Sequence, residues 1–254
     1  MAIPDNVGVI GAYCFKNCNQ LVSVSLPSTI RQVREAAFYG TALKELSIPE
    51  SVTSIGAYAF KNCSALTDIE FPQELKTIGD SAFYACSGLT HLEFPESLTE
   101  IGDYAFRKCT GLQSAGFPSS LAVIGESSFY GDTSLKTLEF PEGLETVKAY
   151  AFKGCTSVTD VSLPTTLSSI GESTFYGCTG IKNITIPEHV STIGSYAFSR
   201  CTGLNRVAFE GDAPTIAASA FNGVKADAYY PAGNATWTAD VQQNYGGVLN
   251  WKNK

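Results

Sequence analysis

A phrase of about 23 residues, repeated along almost the whole chain, constrains the fold more than any other feature. Ten phenylalanines stand at the same place in successive repeats, with steps of 23 residues and one step of 22. They are Phe15, Phe38, Phe60, Phe83, Phe106, Phe129, Phe152, Phe175, Phe198 and Phe221. Eight of the 11 prolines occupy one further column, from Pro27 to Pro187. Self-similarity at a fixed period of this length is typical of an array whose repeats stack on one another.

The third repeat, "IGAYAFKNCSALTDIEFPQELKT", shows the template for local structure. Its apolar positions are Ile55, Phe60, Leu66, Ile69, Phe71 and Leu75. The segment "LTDIEF" predicts a short strand that ends at Pro72, because proline has no N–H for a ladder. The segment "LKTI" predicts a second, shorter extended piece. The segment "GAYAFKNC" is compact and predicts one turn of helix or 3₁₀-helix.

A single repeat cannot be stable alone, because its six apolar side chains offset too little of the conformational entropy lost on ordering its backbone. Stability requires neighbours that share apolar surface and backbone hydrogen bonds. The sequence therefore predicts a repeat solenoid whose coils lie about 4.7–4.9 Å apart, the spacing of adjacent strands.

Composition excludes several classes of function. The 254 residues carry a formal net charge of −7 with only 17 Lys and Arg, which disfavours nucleic-acid binding because phosphate neutralisation needs a basic patch. No apolar run reaches the length of about 18 residues expected of a membrane span. The first residues, "MAIPDNVGVI", lack the charged and apolar regions of a signal peptide.

The motif L-x-x-I-x-[FLI]-P-x-x-L-x-x-I-G-x-x-A-F-x-x-C resembles the BspA-type leucine-rich repeat, and it covers residues 10–215 almost without a break. The resemblance implies a curved, mostly β and irregular solenoid. Its L-x-x-I-x-F strands would form a parallel sheet on the inner face, and short helical or 3₁₀ turns would form the outer wall. It also implies a bacterial surface protein used for attachment.

The two ends differ from the template. Residues 1–9 match the second half of a repeat, so we expect a truncated partial repeat there and an upstream extension in the native protein. Residues 10–215 contain nine leucine-rich repeats. Residues 216–254 form a degenerate repeat and a C-terminal cap, in which Trp237, Val241 and Tyr245 at four-residue spacing predict a short helix. A strand, "VLNW", follows.

Tyrosines alternate between two positions from one repeat to the next. Odd repeats have them two residues before the phenylalanine, at Tyr13, Tyr58, Tyr104, Tyr150 and Tyr196; even repeats have them one residue after it, at Tyr39, Tyr84, Tyr130 and Tyr176. Acids in even repeats and bases in odd repeats alternate with the same period of two repeats, so the true repeating unit is a pair of repeats. We expect rings from successive coils to interleave, acids and bases to pair across coils, and bases to lie over rings. A packing pattern and a binding stripe are both compatible with this alternation.

Seven of the eight cysteines share a column, three residues after the phenylalanine, with Thr41 and Asp132 in the same column of repeats two and six. A stacked column gives parallel side chains, which favours buried free thiols over a disulfide or a metal site, although all three remain open. The remaining cysteine, Cys14, replaces an alanine and is predicted to be a small core residue.

No motif for catalysis, phosphate binding or a cofactor is visible. Even repeats carry a glutamate directly after the proline, at Glu50, Glu96, Glu142 and Glu188. On alternate coils these carboxylates lie too far apart to share one calcium ion, so we interpret them as a solvated acidic edge. We therefore expect no metal, no cofactor and no enzymatic activity.

The outward positions of the predicted inner strands vary from repeat to repeat, unlike the core. Solenoids commonly bind partners with such a face, although neutral drift of exposed positions produces the same variation. The candidate binding residues are Asp68, Glu70, His91, Glu93, Gln113, Lys136, Glu139, Asp160, Lys182, Asn183 and Arg206.

The sequence thus predicts a monomeric, non-enzymatic module of a cell-surface or secreted bacterial protein. Its partner would be a host or microbial surface protein or glycan, with no insertion into a membrane. The alternative is a rigid spacer that displays another domain.

Overall fold

Each repeat closes one coil of a β-solenoid, and we number the coils one to ten by the phenylalanines from Phe15 to Phe221. The computed structural model describes residues 1–254. Its strands are β1 (Val9–Ile10), β2 (Gln32–Val33), β3 (Glu45–Ser47), β4 (Ser54–Ile55), β5 (Asp68–Glu70), β6 (Thr77–Ile78), β7 (His91–Glu93), β8 (Glu100–Ile101), β9 (Ser114–Gly116), β10 (Val123–Ile124), β11 (Thr137–Glu139), β12 (Thr146–Val147), β13 (Asp160–Ser162), β14 (Ser169–Ile170), β15 (Asn183–Ile186), β16 (Thr192–Ile193), β17 (Arg206–Phe209), β18 (Thr215–Ile216), β19 (Lys225–Tyr230) and β20 (Val248–Asn253).

All strand pairing is parallel and joins equivalent residues of neighbouring coils. The predicted "LTDIEF" strand appears as the odd-numbered strands from β3 to β19, and the shorter "LKTI" piece appears as β1 and the even-numbered strands from β2 to β18. In the second set, seven strands from β1 to β12 form one sheet and β14, β16 and β18 form another. The predicted solenoid of short parallel strands is thereby confirmed.

The chain contains no helix, so the predicted helical turns of the outer wall are wrong. These segments are runs of β-turns in which alternate N–H groups bond within the turn and to the next coil. Ala59 N–H donates to the Gly56 carbonyl, three residues back, whereas Tyr58 N–H donates to Asp80 of the following coil. Tyr58 has a φ of 58°, a left-handed conformation that an α- or 3₁₀-helix does not contain. The neighbouring coil therefore takes the hydrogen bonds that a helix would need.

The core is one continuous cluster of 65 buried residues that runs through the whole stack. The ten phenylalanines form a ladder in which neighbouring ring centroids are 5.1–6.0 Å apart and nearly parallel. Nine of them, from Phe38 to Phe221, are almost completely buried. All six apolar positions predicted from the third repeat are buried as well. Equivalent side chains therefore align in files, as the period of the sequence requires.

The cysteine column is buried over most of its length. Six of its thiols are inaccessible to solvent and each donates a hydrogen bond to the carbonyl of the phenylalanine one coil earlier, at 3.0–3.2 Å. Cys18 and Cys14 are exposed, so the prediction of a core position for Cys14 is wrong. Both lie on coil one, at the first end of the stack.

The C-terminal end is closed by aromatic packing rather than by the predicted capping helix. Residues 235–246 form turns, and β20 pairs with β19 along its full length of six residues. Trp237 contacts Phe209, Tyr230 and Trp251, with ring centroids 4.7–5.5 Å apart. These rings cover the last coil.

The domain boundaries at residues 9 and 215 stay a prediction. No helix in the chain could cross a bilayer.

Candidate binding face

The outward side chains of the odd-numbered strands from β3 to β19 form a surface that we call the strand face. Strands on it alternate buried and exposed residues, as in β5, where Ile69 is buried between exposed Asp68 and Glu70. The same alternation places His91 and Glu93 outward on β7. The apolar residue of each strand anchors it to the core, so the residues on either side of that anchor are free to vary without loss of packing.

In the first seven coils the strands of this face pair two by two, β3 with β5, β7 with β9, and β11 with β13, whereas β15, β17, β19 and β20 form one four-stranded sheet. Three of the four glutamates that follow a proline bridge the paired coils. Glu142 accepts hydrogen bonds from the N–H of Thr165 at 2.9 Å and from its hydroxyl at 2.6 Å. Glu50 and Glu96 accept the equivalent N–H groups one coil further on. These three carboxylates therefore hold coils together although they are exposed, a role that the interpretation as a solvated acidic edge did not include. Glu188 makes no such bond and lies near His189.

The first half of the strand face contains two adjoining open grooves with acidic walls. One, of about 680 Å³, is lined by Glu45, Glu50, Asp68 and Glu70 together with serines of coils one and two. The other, of about 490 Å³, brings Asp68 and Glu70 together with His91 and Glu93. No lysine or arginine lines either groove. Glu45 was not among the predicted site residues, although it occupies the same column as Asp68.

A third groove, of about 570 Å³, lies on the second half of the strand face. It brings together the predicted residues Glu139, Asp160 and Asn183. Glu188 and Glu210 also line it, and again no basic side chain does. Seven of the eleven predicted residues thus meet in two of the three grooves on this face.

The other four predicted residues lie outside the grooves. Gln113 is half-buried and accepts a hydrogen bond from the Lys136 ammonium at 3.2 Å. Lys182 is exposed beside the start of β15. The Arg206 guanidinium lies 4.0 Å from the centroid of the Tyr229 ring. These basic residues therefore border the strand face and leave its grooves acidic.

The C-terminal end of the strand face carries an ion pair. Lys252 donates to Asp227 at 2.7 Å, and this contact lowers the pKa of the Asp227 carboxyl below its usual value. Lys254 pairs with Glu210 at 2.7 Å. These two ammonium groups are thus engaged within the molecule, whereas Lys225 on β19 is exposed.

The outer wall carries the alternating tyrosines, and every other coil places a base between two rings. Arg107 lies 4.1 Å from the Tyr130 centroid and 5.6 Å from that of Tyr104. The predicted acid–base pairs between coils do not form, because the tyrosine hydroxyl reaches the acid first: Tyr104 donates to Glu126 at 2.8 Å. Bases thus lie over the rings as expected, but no two of these rings stack on each other, and Tyr13, Tyr58 and Tyr196 are 39–48% exposed. The packing and the binding interpretation of this stripe both stay predictions.

The acidic side chains and the two histidines do not form a metal site. No group of three or more His, Cys, Asp or Glu side chains is placed to hold a metal ion. His91 contacts only the Thr90 hydroxyl through its Nδ1 atom, at 2.9 Å. His189 lies on the exposed edge near Glu188. The chemistry available on the strand face is hydrogen bonding and charge.

Comparison with known proteins agrees with this architecture. The family model of the BspA type leucine-rich repeat region matches six copies, over residues 1–113 and 99–226. A search of curated proteins gives no match. A leucine-rich repeat protein from Bacteroides ovatus is 24% identical, with 99% of this chain and 83% of that chain covered and a TM-score of 0.52.

Two further solved structures are similar. The T. pallidum leucine-rich repeat protein is 27% identical, over 72% of this chain and 78% of that chain, with a TM-score of 0.58. The pneumococcal vaccine antigen PcpA is 18% identical, over 99% of this chain and 78% of that chain, with a TM-score of 0.58. At these identities the similarity concerns the fold.

Proposed function

This chain belongs to the BspA-type leucine-rich repeat family, and from that premise we propose that it is a non-enzymatic binding module of a bacterial cell-surface or secreted protein. Its partner would be a host or microbial surface protein or glycan held against the strand face. Proteins of this family are typically protein-binding or surface-associated. One similar structure is described as a leucine-rich cell surface protein from Faecalibacterium prausnitzii, and another is a vaccine antigen.

The observation that carries the proposal is the position of the grooves. Three grooves of about 490–680 Å³ lie on the strand face, over strands whose buried residues stay apolar while their exposed residues change from coil to coil. A fourth, of about 420 Å³, lies off this face, over β2 and β4. A constant apolar core beneath a varied, grooved surface suits a solenoid to recognition, because residues that contact a partner can then change without loss of stability.

The charge of the grooves narrows the class of partner. Acidic side chains line all three grooves of the strand face. Most nearby bases contact Gln113, Tyr229 or acids, whereas Lys182 is exposed. Opposite charges raise association rates and exclude like-charged partners. The strand face thus fits a protein segment rich in Lys and Arg better than an anionic glycan.

Charge reversal tests this function. The 254-residue chain is screened against arrays of surface proteins, basic peptides and glycans, and hits are measured by surface plasmon resonance. The double variant Glu70→Lys, Glu93→Lys is expected to lose about tenfold or more in affinity, and binding by the native chain is expected to weaken as salt rises. The matched control is Glu100→Lys, Glu145→Lys, which changes the net charge equally at exposed positions off the strand face.

A rigid spacer is the second candidate, and the unbroken core of 65 residues favours it. The same screen separates the two functions. Equal loss of binding in both double variants, or no specific partner in the screen, would contradict recognition through the strand face and support the spacer.

A further inference from the structure

One buried acid, Asp132 on coil six, has no role in the proposed function. It occupies the column in which six buried cysteines donate their S–H to the phenylalanine carbonyl one coil earlier. A side chain at this position is therefore expected to donate a hydrogen bond. Thr41, the other exception in the column, contacts the Cys63 sulfur through its hydroxyl at 3.2 Å.

Asp132 is completely buried, and neither of its carboxyl oxygens has a hydrogen-bond partner. The carbonyl that corresponds to its place in the column belongs to Phe106, which already accepts the N–H of Cys109. An ionised carboxylate can only accept hydrogen bonds, so it would face another acceptor at a position closed to solvent. A protonated carboxyl has an O–H group and can replace the thiol as the donor.

No positive charge offsets an ionised Asp132. The titratable groups packed above and below it are the thiols of Cys109 and Cys155, which burial also keeps protonated. Bases on adjoining coils are engaged elsewhere: Arg107, Lys108 and Lys153 lie over tyrosine rings on the outer wall. Lys136 donates to Gln113.

We propose that Asp132 keeps its proton in the folded protein, donates a hydrogen bond to the Phe106 carbonyl as the thiols of its column do, and loosens the solenoid at coil six when that proton is lost. The array thus contains a pH-sensitive point at a fixed place in the stack. A ligand-binding face built from coils on either side of it would share its response.

The direction of the pH dependence follows from burial. Burial raises the pKa of Asp132 well above its usual value. The N–H groups of Cys109 and Lys108 lower it less, because they donate to the carbonyls of Phe106 and Tyr130 and not to the carboxyl group. An unfolded aspartate ionises near about pH 3.9. Above that pH the folded state holds one proton more than the unfolded state, so stability falls as pH rises, until the folded pKa is passed. The unfolding equilibrium constant rises about tenfold per pH unit in this range.

The test compares the full chain with Asp132→Asn and Asp132→Cys by urea denaturation from about pH 4.5 to about pH 8, above the unfolded pKa. Asp132→Cys installs the residue that the column otherwise uses, which keeps the test valid if the Asn variant does not fold. Relative to either variant, the wild type is expected to become less stable as pH rises. Thr41→Cys, in the same column without a buried acid, is expected to differ from the wild type by the same amount at every pH.

Infrared spectroscopy supplies a readout that does not depend on stability. The folded wild type at neutral pH is expected to show the C=O stretch of a protonated carboxyl, and Asp132→Asn is expected to lack it. The proposal is overturned if that band is absent from the wild type, or if the stability difference from both Asp132 variants is constant with pH.

Discussion

At the scale of single residues, the cysteine column shows how a repeat selects side chains for one local hydrogen bond. Each buried thiol meets a carbonyl of the coil before it, and this contact would be equally served by another small donor. The exposed Cys14 and Cys18, both on coil one, have no such bond. The two sets of thiols should therefore differ in how fast they react with an alkylating reagent, and not in whether they form disulfides.

Alkylation of the native protein should modify Cys14 and Cys18 and spare the other six cysteines. Burial raises the pKa of all six, to about 12 for Cys201, so almost no thiolate forms at neutral pH. Mass spectrometry after iodoacetamide treatment without reductant measures this directly. The urea-unfolded chain serves as the control and should take up eight labels. Fewer than eight would reveal disulfides, and more than two in the native state would contradict the burial of the column.

The sequence alone predicted which apolar side chains form the core, but it did not predict which hydrogen bonds the polar side chains make. Phe60 and Leu66 are recognisable because their apolar character recurs with the period of the fold. The bond from Thr165 to Glu142 is different, since it depends on where the next coil places an N–H group. The seven candidate residues that the grooves bring together are recognisable as outward positions, and nothing in the sequence shows that a groove joins them.

At the scale of elements, the alternation of the sequence corresponds to two kinds of junction between coils. Odd-to-even junctions are joined on the outer wall, where Tyr150 donates to Glu172 at 2.5 Å. Even-to-odd junctions are joined beside the strand face, where Glu96 accepts the N–H of Ser119 at 3.1 Å. A helix was wrongly predicted because a β-turn and a 3₁₀ turn share the same bond over three residues, and only the adjacent coil decides between them.

Replacing a glutamate that bridges two coils should destabilise the array more than replacing the equivalent glutamate that bridges none. Glu142→Ala loses two hydrogen bonds to Thr165, and we expect a loss of about 0.5–1 kcal/mol, at the low end for charged groups because the site is exposed. Glu188→Ala is the control, since its carboxylate contacts only His189. Urea denaturation of both variants measures the difference. Equal losses would contradict a bridging role for this column.

At the scale of the whole molecule, the stack is continuous in its core but not in its hydrogen bonding. Between coils seven and eight, β12 and β14 do not pair, and neither do β13 and β15. The step from Phe152 to Phe175 is the widest of the phenylalanine ladder, at 6.0 Å. The outer wall remains bonded there, through Tyr150 and Phe152 N–H groups. In a solenoid each coil contacts only its neighbours, so one weak junction sets where local opening begins.

Amide hydrogen exchange should therefore locate the least stable junction between coils seven and eight. The N–H groups of Ser191, Gly194 and Asn205 donate to the coil before them, at 2.8–2.9 Å. Their equivalents one coil earlier, Ser168, Gly171 and Lys182, make no such bonds. We expect the latter three to exchange markedly faster by NMR, after correction for intrinsic rates, because their exchange needs no separation of coils. The comparison is internally controlled, since both sets occupy the same columns and lie on adjacent coils. Equal protection of the two sets would mean that the solenoid opens as a single unit, and that the gap in pairing has no energetic consequence.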